Sequence, residues 1–473
     1  MKKILFVIIA GILFISLTGC LKNGGKRNAE SVNDTLEGEE GRKPSETVLP
    51  AGGEDDVINI WSLTGEFTMI INKFIETHPD FEYEIHIADF SNVEAGYEPV
   101  LYDTLVQGEA VIPGFDTPDI YPVEMSYAMR YAKGDAYQFA ADYKELGIDA
   151  DILIEEASIP QYYIDVGTNP EGKLVGLGYH NTAGAFIYRR SIAKEVWKTD
   201  DPSIIKDIVG PGWDRFFEAA AELRKKGYGI CSGIEDMWLA VKNSTDLGWV
   251  VDGKLYIDPR REVFLDDAMK LIDNDYTNNT RQWSDEWYSD MKDEGEKKIF
   301  GFLGPAWLSN YVIMNYSGGE TVGEGTYGDW AICNPPAGFF WGGTMVFAHR
   351  DSKHKEAIGE IIRWITLDTS ETGCQYLWAD GAFSSGVKEI PASATVTKNL
   401  DGSLDFLGGQ DIFEAYRAAG NLAGGYKLVQ DDEAIDMFWR SEVYEYVSKS
   451  KSREQAIADF KQRVADYTDV MVE

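Results

Sequence analysis

The stretch from Val57 to Ile87 leaves little choice of fold class. Val57, Ile58, Ile60 and Trp61 make a short apolar run. Phe67, Ile70, Ile71, Phe74 and Ile75 then recur at i, i+3, i+4, i+7 and i+8, the spacing of a helix with one buried face. His78-Pro79-Asp80 ends that helix, and Phe81, Tyr83, Ile85 and Ile87 alternate with polar residues as a strand does. Strand, helix and strand in this order predict an α/β layer with a parallel pair. In open α/β sheets ligands bind beyond the C-terminal ends of strands, so the turn Ser62-Leu63-Thr64-Gly65-Glu66 is a candidate site wall.

At 473 residues the chain exceeds one ordinary core, and two domains or lobes are expected. Further elements are legible. Pro118-Asp119-Ile120-Tyr121 precedes Glu124 at the end of a short strand, and Ala185 to Tyr188 reads as a strand crossing between regions. The run "PGWDRFFEAAAELRKKGYGI" is a helix with Asp214 in its first turn, Arg224 to Lys226 in its last, and Gly227 as its C-cap. Ile358, Ile361, Ile362 and Ile365 share one helix face, and Ser452-Arg453-Glu454-Gln455 opens the final helix as a capping box.

The N-terminus carries Lys2, Lys3 and an apolar run from Ile4 to Leu17, the length of a signal-peptide core and short for a membrane span. It ends in Leu17-Thr18-Gly19-Cys20, which resembles a bacterial lipobox: residues 1–20 would be the signal peptide, with lipidation at Cys20. Residues 21–56 are polar and rich in Gly, Glu, Ser and Pro, without apolar period, and read as a flexible tether.

Composition excludes more than it assigns. A formal charge of −35 argues against nucleic acid, whose phosphates need clustered Lys and Arg. Cys231, Cys333 and Cys374 have no metal-ligand spacing; one disulfide is open to an exported chain, but buried thiols are expected. None of the five histidines forms H-E-x-x-H, and no G-x-S-x-G elbow occurs. Gly323 to Gly328 matches G-x-G-x-x-G literally, yet the strand-like "DWAIC" follows where a helix is required. Asp273-Asn274-Asp275 lacks the Gly and Glu of a calcium loop and reads as a helix-ending turn. No catalytic residue, metal or cofactor is implied.

The segment "FFWGGTMVFAHRDSKHKEA" sets Phe339, Phe340 and Trp341 before two glycines, Gly342 and Gly343, and reads as a junction. With "INIWS", "NKFIETHPDFEYEIHI", "TPDIY", "GLGYHNTAGAFIYRR", "GWDRFFEAAAELRKKG", "FGFLGPAW" and "SREQAIADFKQRVADY", it gives residues 57 to 473 an order of pieces that resembles the extracellular solute-binding proteins of bacterial ABC importers, in their sugar-binding branch. Arg189 and Arg190 follow Tyr188 where that family usually has an Asn.

The resemblance implies a two-lobe α/β fold like that of type II periplasmic binding proteins, with hinge crossings and an interlobe ligand cleft. One lobe would comprise 57–181 plus 345–382, the other 183–341 plus 387–473. It further implies capture of a mono- or oligosaccharide by lobe closure, delivery to permease subunits, an extracytoplasmic and membrane-anchored location at the cell surface or periplasmic side, and a monomer. A pyranose packs its C–H faces on aromatic rings and offers hydroxyls to charged or amide groups. The platform candidates are Trp61, Tyr121, Tyr179, Trp238, Trp307, Trp341 and Trp439; the hydrogen-bonding candidates are Glu66, Asp119, Glu124, Asn181 and Asn310. For each the alternative is a structural post: a turn or cap for Asp119, core for Trp61 and Trp439. Phe339 and Phe340 are expected in the core, and Gly342 and Gly343 at the hinge and among the ligand-binding residues, where they permit backbone bending or close ligand approach. Two rival readings remain open. One is a surface-anchored glycoside hydrolase using a carboxylate pair; the other is the same fold carrying a peptide or polyamine.

Overall fold

The predicted strand–helix–strand unit is present, and a sheet grows around it. The computed structural model describes residues 44–49, 56–91, 93, 96–245, 247–384, 386–423 and 428–472; Cys20 and its apolar leader lie outside them. The strands of the two main sheets are, in chain order, β1 (Ser45–Leu49), β2 (Val57–Ser62), β3 (Glu84–Asp89), β4 (Ile120–Glu124), β5 (Gly176–Gly178), β6 (Ala185–Arg189), β7 (Gly301–Gly304), β8 (Trp330–Cys333) and β9 (Thr344–Ala348). No helix among the described residues is long and apolar enough to cross a membrane.

The chain divides into two compact units. The first takes the described chain up to Ala157, Val166–Tyr179 and Thr344–Leu377; the second takes Ser158–Asp165, His180–Gly343 and the chain from Trp378 on. Ser158–Asp165, expected in the first lobe, therefore groups with the second unit. Its Tyr162 stacks on Phe340, with centroids 5.0 Å apart, and its hydroxyl accepts the Thr182 N–H at 3.0 Å. Residues 378–382 group there too, Trp378 meeting His180 edge to face at 4.8 Å.

In the first unit the sheet order is β1-β3-β2-β4-β9-β5. β2 is parallel to β3 and to β4, while β9 runs antiparallel to β4 and β5. The Gly65–Thr77 helix starts at an N-cap, Thr64, whose hydroxyl accepts the Glu66 N–H, and buries Phe67, Ile70, Ile71 and Phe74. Ile358, Ile361, Ile362 and Ile365 form the buried face of the Lys355–Thr366 helix as their spacing predicts. One strand was not foreseen. Ser45–Leu49, read as tether, pairs antiparallel with β3. Its side chains are mostly exposed, so it is held by the ladder of an otherwise open edge rather than by a core of its own.

In the second unit β6 lies between β8 and β7, all antiparallel. Around this sheet pack the Trp213–Arg224, Ile234–Asn243, Pro259–Asp273, Asp432–Val447 and Arg453–Tyr467 helices, whose buried faces form one core with Phe186, Phe300 and Leu303. The Trp213–Arg224 helix is capped by Lys225 rather than Gly227, which takes a left-handed φ of 85° two residues later. Ser452 caps the last helix by accepting the Gln455 N–H. Cys231, Cys333 and Cys374 are buried thiols without a disulfide. Asp273 ends the Pro259–Asp273 helix, as the turn reading expects.

Candidate functional site

Each unit carries its own group of site candidates. In the first unit, Glu66 stands in the first turn of the helix that follows β2, and Glu124 ends the parallel strand β4. Carboxylates at the C-terminal ends of parallel strands occupy the usual ligand side of such a sheet. Tyr179, separated from Glu66 by more than a hundred residues, donates its hydroxyl to Glu66 Oε1 at 2.6 Å. Thr344, in register opposite Glu124, bonds the same phenol. Burial, with the Glu66 carboxylate next in weight, holds the Tyr179 hydroxyl well above its ordinary range, so it stays a neutral donor. Three predicted residues, Glu66, Glu124 and Tyr179, are thus gathered about one strand end. Glu124 also caps the Met125–Ala132 helix, accepting the Ser126 N–H at 2.8 Å.

The other first-unit candidates have structural posts. Asp119 precedes β4 at its opposite end, and both its oxygens are engaged, by the Asn59 N–H at 2.9 Å and the Ser352 hydroxyl at 2.6 Å. Tyr121 is fully buried and stacked on Phe347 with a centroid distance of 5.7 Å. Trp61 is buried against Phe90 and donates its indole N–H to the Asp116 carbonyl at 3.0 Å. With Glu46, Asn59, His86 and Phe115 it lines a cavity of about 230 Å³.

In the second unit the decisive feature is a trio of half-buried tryptophans. Trp283 and Trp307 are parallel within 12° at a centroid distance of 6.0 Å. Trp341 stands edge-on to both, at 4.7 Å from Trp307 and 5.8 Å from Trp283. The Trp307 indole N–H donates to the Trp341 carbonyl at 3.2 Å. Trp307 and Trp341 were predicted; Trp283 was not. Trp307 follows the Gly304-Pro305 turn and opens a π-helical turn, Leu308–Ile313, a geometry frequent at functional sites. Trp341 is held by its N–H to the Thr182 carbonyl at 3.0 Å, while the Asn243 amide holds the preceding Phe340 carbonyl at 2.7 Å. Phe339 and Phe340 are buried, as expected.

Gly342 and Gly343 have φ of 68° and 111°, conformations that side chains rarely adopt. At Gly343 an added Cβ would stand 2.9 Å from Thr182 Cγ2 and 3.0 Å from Tyr163 Oη. Glycine thus spares the chain backbone strain at Gly342 and both strain and a side-chain clash at Gly343, where it passes from the second unit into β9.

The remaining second-unit candidates belong to the scaffold. Trp238 and Trp439 are at most 2% exposed and pack with Trp249 in the core. Indoles covered on this scale offer no face to a ligand. Asn181 turns its carbonyl to the Ala183 N–H at 2.9 Å, and Asn310 donates to the Lys388 carbonyl at 2.9 Å while accepting the Ser309 hydroxyl. Among the described residues no group of three or more His, Cys, Asp or Glu could hold a metal ion.

The fold recurs in solved structures. A crystal structure of an extracellular solute-binding protein family 1 member matches with a TM-score of 0.69 at 16% identity, over 87% of this chain and 99% of the other. The galacto-N-biose-/lacto-N-biose I-binding protein of an ABC transporter from Bifidobacterium longum, in complex with lacto-N-biose, gives 0.63 at 16% identity over 87% and 96%. The sugar-binding protein MalE from Xanthomonas citri gives 0.62 at 14% identity over 87% and 97%. At these identities the likeness establishes the fold, that of the two-lobe solute-binding proteins. No curated protein sequence matches the chain. Residues 62–371, more than half of its length, match the model of the bacterial extracellular solute-binding proteins, and the chain belongs to that family.

Proposed function

We propose that this chain is the substrate-binding lipoprotein of an ABC importer for a neutral mono- or oligosaccharide, held outside the membrane by a lipid on Cys20. The single observation that carries the sugar reading is the trio Trp283, Trp307 and Trp341, half-buried beside the glycine pair that leads out of the second unit. Aromatic faces in a partly dry setting suit the C–H faces of a pyranose. Glu66 and Glu124 on the first unit supply acceptors for hydroxyl donors. Solved structures of like fold support the choice, two of them being a sugar-binding protein and a lacto-N-biose I-binding protein.

Membership of an extracellular family implies an extracytoplasmic location. The lipid anchor, the permease partner and the monomeric state are the finer parts of the proposal. Capture by closure of two lobes goes with it: a ligand that gains contacts on both favours the closed state, which the permease then recognises. The family and the fold are those of binding proteins rather than of hydrolases.

A thermal-shift screen of residues 44–473 against mono- and oligosaccharides, with peptides and polyamines as controls, tests the reading. A ligand at a hundred times its Kd stabilises by about 2.7 kcal/mol. Stabilisation by one sugar class, with that sugar recovered uncut, is expected. A response confined to polyamines or peptides removes the sugar, and a shortened sugar removes the binding-protein reading.

A further inference from the structure

We propose that Asp236 is the positioning residue of the tryptophan trio: from the core it clamps the 277–283 loop and so fixes Trp283 against Trp307 and Trp341. The inference rests on the reading that the trio forms the ligand platform, and it concerns a residue that touches no ligand itself.

The argument begins with the backbone of Trp283. Its φ is 67°, in the left-handed region that a bulky side chain enters at a cost of about 1–3 kcal/mol. Such a conformation persists only where the surroundings over-determine it. Those surroundings are explicit. Gln282, the preceding residue, donates its backbone N–H to Glu235 Oε2 at 2.8 Å and its side-chain amide to Asp236 Oδ1 at 3.1 Å. The following residue, Ser284, caps the Asp285–Met291 helix by accepting the Trp287 N–H. Trp283 is thus pinned from both sides.

Asp236 is the hub. It is 1% exposed, and four N–H donors converge on it. Oδ2 accepts the backbone N–H groups of Ser232 and Gly233 at 3.0 and 3.2 Å; Oδ1 accepts Gln282 and, at 3.4 Å, the Trp287 indole. Trp287 is fully buried and packs 5.2 Å from Trp283. One carboxylate therefore ties together the start of the Ile234–Asn243 helix, the loop and the aromatic beneath the trio. Only an acceptor on both oxygens satisfies this set; an amide at 236 would present a donor to one pair of N–H groups.

The rest of the loop is seated to match. The Thr280 N–H reaches the Ser232 carbonyl at 3.1 Å, and a Cβ on Gly233 would lie 2.0 Å from the Thr280 carbonyl oxygen, so only glycine lets the loop so close. Asp290, also 1% exposed, receives the Asn278 amide and the Thr280 hydroxyl. Burial pushes the Asp236 carboxyl up to about 6, while the Gln282, Gly233 and Trp287 donors pull the other way and favour the carboxylate.

The test uses the full chain labelled with 5-fluorotryptophan and read by fluorine NMR without ligand, lines being assigned by single Trp→Phe changes. In Asp236→Asn and in Gln282→Ala the Trp283 and Trp307 lines are expected to move toward the solvent-exposed position, with the Trp61 and Trp439 lines unmoved. A folded Asp236→Asn whose Trp283 line stays in place overturns the clamp. If that variant does not fold, Gln282→Ala decides in the same way, since it cuts only the link from hub to loop. A sugar panel that gives no binding while the Trp283 line moves removes the ligand reading and leaves the clamp standing.

Discussion

The second unit holds two tryptophan trios of opposite fate. Trp238, Trp249 and Trp439 meet at centroid distances of 5.6 to 6.4 Å and are almost wholly buried. Arg261 covers the Trp249 ring at 4.5 Å, and Asp436 takes the Trp238 indole N–H at 3.0 Å. Trp283, Trp307 and Trp341 meet at similar distances yet stay half-exposed. Ring-to-ring distance does not separate them. What separates them is the backbone that carries them. Trp238 and Trp439 stand in mid-helix, where side chains of one face are delivered together into a core, and they draw in Trp249, a bend residue whose N–H is tied to Asp432. Trp283 and Trp341 stand outside regular elements and Trp307 at the first turn of an irregular helix, with no such helix pair among the described residues to cover them.

The comparison breaks first at stability. Trp439→Ala is expected to cost about 3–5 kcal/mol in denaturant unfolding, because a buried indole leaves a cavity. A loss below 1 kcal/mol would show that the core trio is not core. Trp307→Ala and Trp341→Ala should instead leave stability within about 1 kcal/mol. Each should weaken binding of the sugar found by thermal shift by about 2 kcal/mol, roughly thirtyfold by calorimetry. Equal affinity in both variants ends the platform reading. Gly343→Ala places a side chain at φ 111° against Thr182 and Tyr163 and should cost about 1–2 kcal/mol of stability, measured by urea midpoint; a neutral result would mean that this junction relaxes freely.

The smallest effect is on pH. Burial pushes Asp236 and Asp290, beneath the outer trio, and Asp432, beside the inner one, up to about 6. An unfolded Asp releases its proton near 3.9. From there to about pH 6 the folded chain holds protons that the unfolded chain has lost, so these groups favour the fold fully below about pH 4 and that stability is lost as pH rises through 6. Asp290→Asn should make the decline of the unfolding midpoint between pH 4 and 6 shallower; an unchanged slope would exonerate Asp290.

Local periodicity made β2, β3 and the helices beside them legible, since each pattern is written within a few turns of chain. The polar candidates fared differently. Asp119 and Asn181 flank strands and Asn310 lies within the Leu308–Ile313 π-helix, and each is spent on a backbone group that would otherwise lack a partner. The Glu66–Tyr179 bond joins residues too distant in sequence for any pattern to link. Trp283 was hidden because its position depends on a backbone angle and on a carboxylate from another helix. One signal did exist: it directly precedes Ser284-Asp285-Glu286, a helix-start signature that marks it as loop-borne.

The edge strand β1 changes the length of the leash. With Cys20 as the proposed anchor, a spacer running to residue 56 would let the body range at most about 125 Å from the membrane when fully drawn out. Pinning Ser45–Leu49 to β3 cuts that to about 85 Å, and it moves the point of attachment from the start of β2 to the rim of the first unit. On the proposed anchoring at Cys20, the sheet edge would set the working height and the tilt at which the protein meets the proposed permease. A truncation made at residue 57 would discard that adjustment along with the tether.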